Sequence, residues 1–313
     1  MTFGQLRTFL EVARQGSIRG AAAMLMVSEP SVSAAVAALS KDIGAELLQR
    51  EGRGIRLTGA GRELVKYASE ILGLADQAAR RVQEAAGKKG RLHLAAATTA
   101  GEYVLPPLLK LFRRKHPEVH IWMEVGNRVS TFEHLHSREA DLAIGGRPPP
   151  DTKIVGESFL DNQLFVVGAP DHPLASEESV PPEMLAGETW LIREPGSGTR
   201  QALQEFFRSL SVESAATMEL GSNGAVKQAA IAGLGITLMS AYAVAAEVAS
   251  GTLSRIRVPG TPLKRAWYVN YLRDDPPSGS VSDFLDLIRS PQARRDVDDL
   301  FGLNKLGTTL EPA

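Results

Sequence analysis

Residues 28–44 read SEPSVSAAVAALSKDIG. Ser28 offers a helix cap, Pro30 stands early where a helix tolerates it, and Gly44 stops the run. The pattern predicts one short helix. Taking Val32 as the inward reference, Val36, Leu39 and Ile43 fall within about 50° of it on a helical wheel. These four form the expected packing face. The opposite side shows Pro30, Ala34, Ala37, Ala38 and Lys41, flanked by Ser31 and Ser33. No Arg, Gln or Asn stands on it.

The flanks say what kind of helix this is. QLRTFLEVARQG (5–16) places Leu6, Phe9, Leu10 and Val12–Ala13 on one helical face, and Gly16 ends it. Ser17 then caps the short Ala-rich helix IRGAAAMLM (18–26). Three short helices with small residues at their crossing fit a helix-turn-helix, whose second helix enters the DNA major groove. LLQREGRGIRLTGAG (47–61) reads as two strands around a Gly-rich tip, a wing carrying Arg50, Arg53 and Arg56.

Thr58 caps a long helix from Gly59 to about Ala86. Leu64, Ile71, Ala78 and Ala85 recur every seven residues, with Tyr67, Ala68, Ala75 and Val82 between them. Such a stripe on an isolated helix needs a partner helix, so Leu64, Tyr67, Ile71, Ala75, Ala78 and Val82 are expected to line a dimer seam. Packing on its own domain is the alternative. GKKG (87–90) is a polar hinge.

Beyond the hinge the pattern becomes βαβαβ: strands near 91–98, 119–127 and 141–146 alternate with helices. QLFVVGAP (163–170) and TWLIREPGSGTR (189–200) are expected to continue a parallel, doubly wound sheet. VSDFLDLIRSPQAR (281–294) is expected within one late helix, and the tail GTTLEPA is expected to be mobile.

Bulk properties set bounds. Apolar residues make up 43% of the 313, and no cysteine is present. Disulfides and thiol catalysis are excluded, which fits a cytoplasmic protein. No apolar stretch is long enough for a membrane span, and residues 1–16 lack signal-peptide features. Residues 1–90 hold 13 Lys/Arg against 9 Asp/Glu, while the remainder holds 22 against 27. A basic front end on an acidic body suggests a polyanionic partner.

The order of parts resembles the LysR-type transcriptional regulators. The likeness is carried by LRTFLEVARQGSIRGAAAML (6–25), SVSAAVAAL (31–39) and GAELLQREGRGIRLTGAGRELVKYA (44–68), followed by a two-lobed binding domain. Three later stretches are narrower: AATTAGEYVLPPLL (96–109), LAIGGRPP (142–149), and REPGSGTR (193–200) with ELGSNGAVKQAAIAGLGITLMS (219–240). Together they are similar to the subgroup of Calvin-cycle operon regulators (CbbR-like) and related sulfur-metabolism regulators.

The resemblance implies a winged helix-turn-helix over 1–58, a linker and dimerisation helix with hinge over 59–90, and a periplasmic-binding-protein-like α/β effector domain over 91–313. Lobe I would take 91–162 and 265–313, and lobe II 163–264, with crossings near Asn162 and Lys264. It also implies a homodimer or homotetramer, a double-stranded DNA operator, RNA polymerase contact for an activator, and no cofactor, metal or membrane.

In a doubly wound sheet, ligands sit where strands end and helices begin. The turns Thr98–Thr99–Ala100, Gly126–Asn127–Arg128, Gly145–Gly146–Arg147, Gly196–Ser197–Gly198–Thr199 and Gly221–Ser222–Asn223 each offer backbone N–H groups and a helix dipole. Ordinary caps are the bland reading of any one of them. Together they suggest a polar, anionic effector: a carboxylate, a phosphate ester or a sulfur oxyanion. Thr99 and the 196–199 loop are the strongest candidates, and Arg147 and Arg200 the expected counter-charges. Gly224 stands where the subgroup usually has an acidic residue, which would favour anions or a larger ligand. No HExxH, GxSxG or P-loop is present, so enzyme activity is not expected. A solute-binding protein is a rival on fold, opposed by the DNA-binding front end.

For DNA, the family commonly has glutamine at position 29 and basic or amide side chains at 34 and 35. Here they are Glu29, Ala34 and Ala35. In one reading Ala methyls touch thymine methyls, Glu29 accepts from a cytosine amino group, and Ser31 and Ser33 reach bases or phosphates. Ser17, Arg19, Ser33, Arg50 and Arg53 would hold the phosphates, with Ser28 and Pro30 beside them. In a second, specific operator binding is lost. In a third, Glu29 only complements the helix dipole.

Overall fold

The structure is a computed structural model that describes residues 1–52, 54–87, 90–150, 153–212 and 216–302. Arg53, Lys88, Lys89 and the tail GTTLEPA lie outside the described residues. The chain divides into an N-terminal unit that runs to near residue 88 and also takes in His136–Glu139, and a C-terminal unit made of the rest.

The N-terminal unit opens with α1 (Phe3–Gln15), begun by a capping box between Thr2 and Gln5 and ended by Gly16 at φ 62°. Then come α2 (Ile18–Leu25) and α3 (Glu29–Ile43), whose axes bend by 109°. Leu6, Phe9, Leu39 and Leu47 form one buried cluster, and Val12, Ala21, Ala22, Val32 and Val36 another. Ile43, expected on the packing face, is 40% exposed instead. It sits in the last turn, where the chain already leaves the core at Gly44.

Strands β1 (Leu48–Glu51) and β2 (Gly54–Leu57) pair antiparallel, Leu48 opposite Leu57. Helix α4 (Gly59–Ala85) follows, capped by Thr58 Oγ1. Gly61 belongs there for steric reasons: a Cβ would lie 2.0 Å from the Leu47 carbonyl oxygen.

The C-terminal unit begins with β3 (Arg91–Ala97), a π-helical turn (Ala100–Val104), α5 (Leu105–Lys115), β4 (His120–Gly126), α6 (Arg128–His136) and β5 (Leu142–Gly145). Strand β3 lies between β4 and β5, parallel to both. The parallel pattern ends there. Strand β6 (Ile154–Gly168) contains QLFVVG but runs antiparallel to its neighbours, and so does β11 (Leu263–Leu272). The doubly wound expectation is corrected to a mixed seven-stranded sheet.

On β6, Asn162 pairs with Arg265 of β11, and Gln163 with Lys264. The two expected crossing points, Asn162 and Lys264, therefore lie on adjacent rungs of one ladder. Strand β7 (Thr189–Arg193) does not join this sheet. It pairs in parallel with β8 (Ala216–Leu220). Between β6 and β7 stands the single turn α7 (Pro182–Leu185); α8 (Gly198–Leu210) and α9 (Asn223–Ile231) flank β8. Strand β9 (Thr237–Ser240), α10 (Ala241–Ala249) and β10 (Ser254–Ile256) precede β11. Both β9 and β10 pair antiparallel with β6.

The single late helix becomes two, α11 (Gly279–Arg289) and α12 (Pro291–Leu300). Proline supplies no backbone N–H, so Pro291 starts a helix instead of continuing one. One core packs Leu94, Leu108, Phe112 and Phe284; another packs Trp190, Leu203, Phe206 and Leu238.

Candidate functional site

In the N-terminal unit, α3 is the second helix of the α2–α3 pair. Ser28 Oγ accepts from Ser31 N at 3.3 Å and lies 2.8 Å from Ser31 Oγ. The cap therefore occupies the Ser31 hydroxyl. Ser28, Glu29, Pro30, Ser31, Ser33 and Ala34 are all exposed, whereas Ala35 is half-buried against the unit. Ser17 is half-buried, its Oγ accepting from Gly20 N at 2.9 Å. Arg19 and Arg50 are exposed, and Arg56 pairs with Glu51 at 3.1 Å.

In the C-terminal unit, a cavity of about 660 Å³ opens among strand ends and helix starts. Thr98, Thr99, Asn127, Arg147, Ser197, Gly198 and Thr199 line it, seven of the residues singled out from sequence. Ser197 caps α8, its Oγ accepting from Arg200 N at 3.4 Å. The cavity thus borders the start of a helix, where free N–H groups and the dipole favour an anion. Among the described residues, five cationic side chains border it, Arg128, Arg147, Arg193, Lys264 and Arg265, against one carboxylate, Glu205, which pairs with Arg265. Arg147 Nε donates to the Tyr268 hydroxyl at 3.2 Å. Burial lowers the pKa of Arg128, and the like charge of Arg265 lowers it further.

Arg193, at the end of β7, is the buried cation among the described lining residues. Its Nε and Nη2 donate to Glu194 at 2.7 and 2.9 Å, Nη2 reaches Thr98 Oγ1 at 3.3 Å, and Nη1 donates to Asn223 Oδ1. Asn223 Nδ2 in turn donates to Thr99 Oγ1 at 2.9 Å. Thr98 Oγ1 donates to the Gly126 carbonyl at 2.8 Å. A single polar chain thus joins β7, α9 and the turn after β3.

Known proteins match this arrangement along the chain. The lysR family of bacterial regulatory helix-turn-helix proteins matches residues 3–62, and the LysR substrate binding domain matches residues 85–292. The HTH-type transcriptional activator CmpR of Synechocystis is 38% identical over 92% of this chain and 94% of its own. The RuBisCO operon transcriptional regulator of Allochromatium vinosum is 37% identical over 93% and 96%.

This chain belongs to the LysR family of transcriptional regulators.

Its relatives place it in the CbbR-like group, as the motifs implied. A solved structure, the CcmR regulatory domain of Synechocystis in complex with 2-PG, is 37% identical, covers 64% of this chain and 96% of its own, and superposes with a TM-score of 0.61. As a LysR-family regulator, this protein joins a DNA-binding helix-turn-helix to an effector-binding domain.

Within the regulator, several residues expected at the ligand do not border this cavity. Ala100 is fully buried in the core. Gly126, Gly145 and Gly196 do not border the cavity; at Gly196, a Cβ would come 3.1 Å from the Asn127 side chain. Ser222 caps α9 in solvent, and Asn223 sits behind Arg193. Arg200 is withdrawn: it bonds the Arg193 carbonyl and pairs with Glu219. Gly224 is exposed and does not border the cavity.

Arg193, Lys264 and Arg265 were missed from sequence. Arg193 closes a hydrophobic strand, and the other two open β11, more than sixty residues from the loops they join. Of the helix stripe, Leu64 and Ile71 are half-buried and pack on the core of their own unit beside Ala68 and Leu72. Tyr67, Leu74 and Val82 remain 57%, 52% and 69% exposed. Ala75 is half-buried and Ala78 exposed. Among the described residues no single helix is long and apolar enough to cross a membrane.

Proposed function

We propose that this regulator binds a small phosphate- or carboxylate-bearing metabolite in the cavity of the C-terminal unit, and that the ligand modulates operator binding. The excess of cationic side chains on the cavity wall carries the reading. A helix start adds its dipole to theirs. A related regulatory domain is known with 2-PG, which is an anion of this chemistry. Thr98, Thr99, Asn127, Arg147, Ser197, Gly198 and Thr199 would hold it, joined by Arg193. Lobe I would comprise 91–162 and 265–313, and lobe II 163–264.

On the DNA side, α3 would enter the major groove with Glu29, Ser33 and Ala34 outermost, and Arg19 and Arg50 would meet phosphates. The protein would act in the cytoplasm without catalysis, as a homodimer or higher oligomer joined through the exposed side of α4, and would contact RNA polymerase where it activates.

Calorimetric titration of the full-length protein with a panel of sugar phosphates, 2-phosphoglycolate, simple carboxylates and sulfur oxyanions tests the ligand class. Binding of one anion with a change in operator affinity supports the reading. A panel without a single binder sinks it.

A further inference from the structure

Arg193 is 5% exposed yet borders the ligand cavity. A buried guanidinium needs a counter-charge, because stripping its water without one is strongly unfavourable. Here the charge comes from the next residue. Glu194 takes Nε and Nη2 together, the fork geometry that a guanidinium also offers to a bound carboxylate or phosphate. Glu194 itself does not border the cavity, and its side chain is only partly exposed. Asn223 and Thr98 occupy further donors of Arg193. Arg193, the one buried cation among the described lining residues, is therefore already neutralised from outside the ligand space.

We propose that Glu194 is a resident counter-ion for Arg193, and that an anion entering the cavity takes its place on the guanidinium. The proposal rests on the anionic-effector reading above. Binding then exchanges one bidentate partner for another, and the ligand gains only the difference. Glu194 becomes a determinant of affinity without touching the ligand. Removing its charge leaves Arg193 underpaired, so the free protein loses stability and the anion regains it.

The test uses the full-length protein with 2-phosphoglycolate and inorganic phosphate as probes, read by calorimetry and thermal unfolding. Glu194→Gln is expected to lower the unfolding midpoint without probe and to bind each probe about tenfold tighter than the native chain. Glu194→Asp, which keeps the charge on a shorter arm, should gain less, and it serves if the glutamine variant does not fold. In an Arg193→Gln background the same change should alter affinity by less than about twofold, since the partner is gone. No gain in either Glu194 variant overturns the proposal, and so does a gain that persists undiminished without Arg193, because plain repulsion would then explain it. If the native chain binds a probe and the variants gain nothing, only the counter-ion role fails. If neither the native chain nor any variant binds either probe, the counter-ion proposal fails together with the phosphate branch of the anionic-effector reading.

Discussion

The Asn223 amide donates to Thr99 Oγ1 at 2.9 Å across 124 residues of chain, and both side chains are buried. The same amide offers its oxygen to Arg193. Asn223 is thus the joint between β7 and the turn after β3. Asn223→Ala would leave a buried guanidinium N–H and a buried hydroxyl without this partner. The expected loss is about 1–3 kcal/mol in the stability of the C-terminal unit, the cost of an unsatisfied buried group. Ser222→Ala, one residue away on the surface, removes only a helix cap, with an expected loss of about 1 kcal/mol. Urea midpoints of the two variants check this. An asparagine variant as stable as the native chain would show that the joint does not hold the unit.

Met26 closes α2 with φ 54°, ψ 42° and is 93% exposed. A side chain with a Cβ pays about 1–2 kcal/mol in this left-handed conformation, and exposure returns no packing energy. Met26→Gly relieves the strain but adds chain entropy to the unfolded state, so a net gain of about 0.5–1 kcal/mol is expected. Thermal unfolding of the full-length protein should show a higher midpoint for the N-terminal transition.

Burial raises the pKa of Asp298, although its hydrogen bond from the Tyr242 hydroxyl at 2.7 Å works the other way. Asp161 and Asp299 add like charge. A carboxyl with a raised folded pKa favours folding most when protonated. Its contribution is therefore greatest below the ordinary aspartate value of about 4 and is lost as pH rises through the raised value. Asp298→Asn should flatten the pH dependence of the midpoint between the ordinary aspartate value and the raised one. A variant with the native pH profile would place the titration elsewhere.

Glu29 is exposed at the start of α3 and forms no ion pair among the described residues. Glu29→Gln converts an acceptor suited to cytosine into an amide suited to adenine, with a discrimination change of about 1–3 kcal/mol at one base pair. It also removes a charge that repels phosphate, so non-specific affinity should rise slightly. Selection from random duplexes, followed by anisotropy at fixed salt, separates the two. Equal change across all sequences would remove Glu29 from base readout.

Tyr67 and Val82 lie fifteen residues apart on the exposed side of α4. Val82→Asp would place a charge in the proposed helix seam while leaving the Leu64 and Ile71 contacts intact. Light scattering should show a shift toward monomer. An unchanged oligomer would put the interface on another surface.

Read alone, the sequence determined the local structure of this protein and its family. Thr2, Ser17, Ser28, Thr58, Ser197 and Ser222 cap helices because each carries a short hydroxyl at a chain reversal, which is a property of neighbours in sequence. Seven cavity residues were legible for the same reason: loops between a strand and a helix announce themselves. Tertiary structure decided the rest. Whether β6 ran parallel or antiparallel depended on β11, a hundred residues later. Whether Leu64 and Ile71 found packing within their own unit depended on a core built by α1 and α3. The cations were the largest omission. Arg200 has the better position in sequence, beside the Ser197 cap, but Glu219 takes it away, while Arg193 is carried to the cavity wall by a buried strand. Charge acts through space, so the set of charges that share a cavity is settled only when distant segments meet.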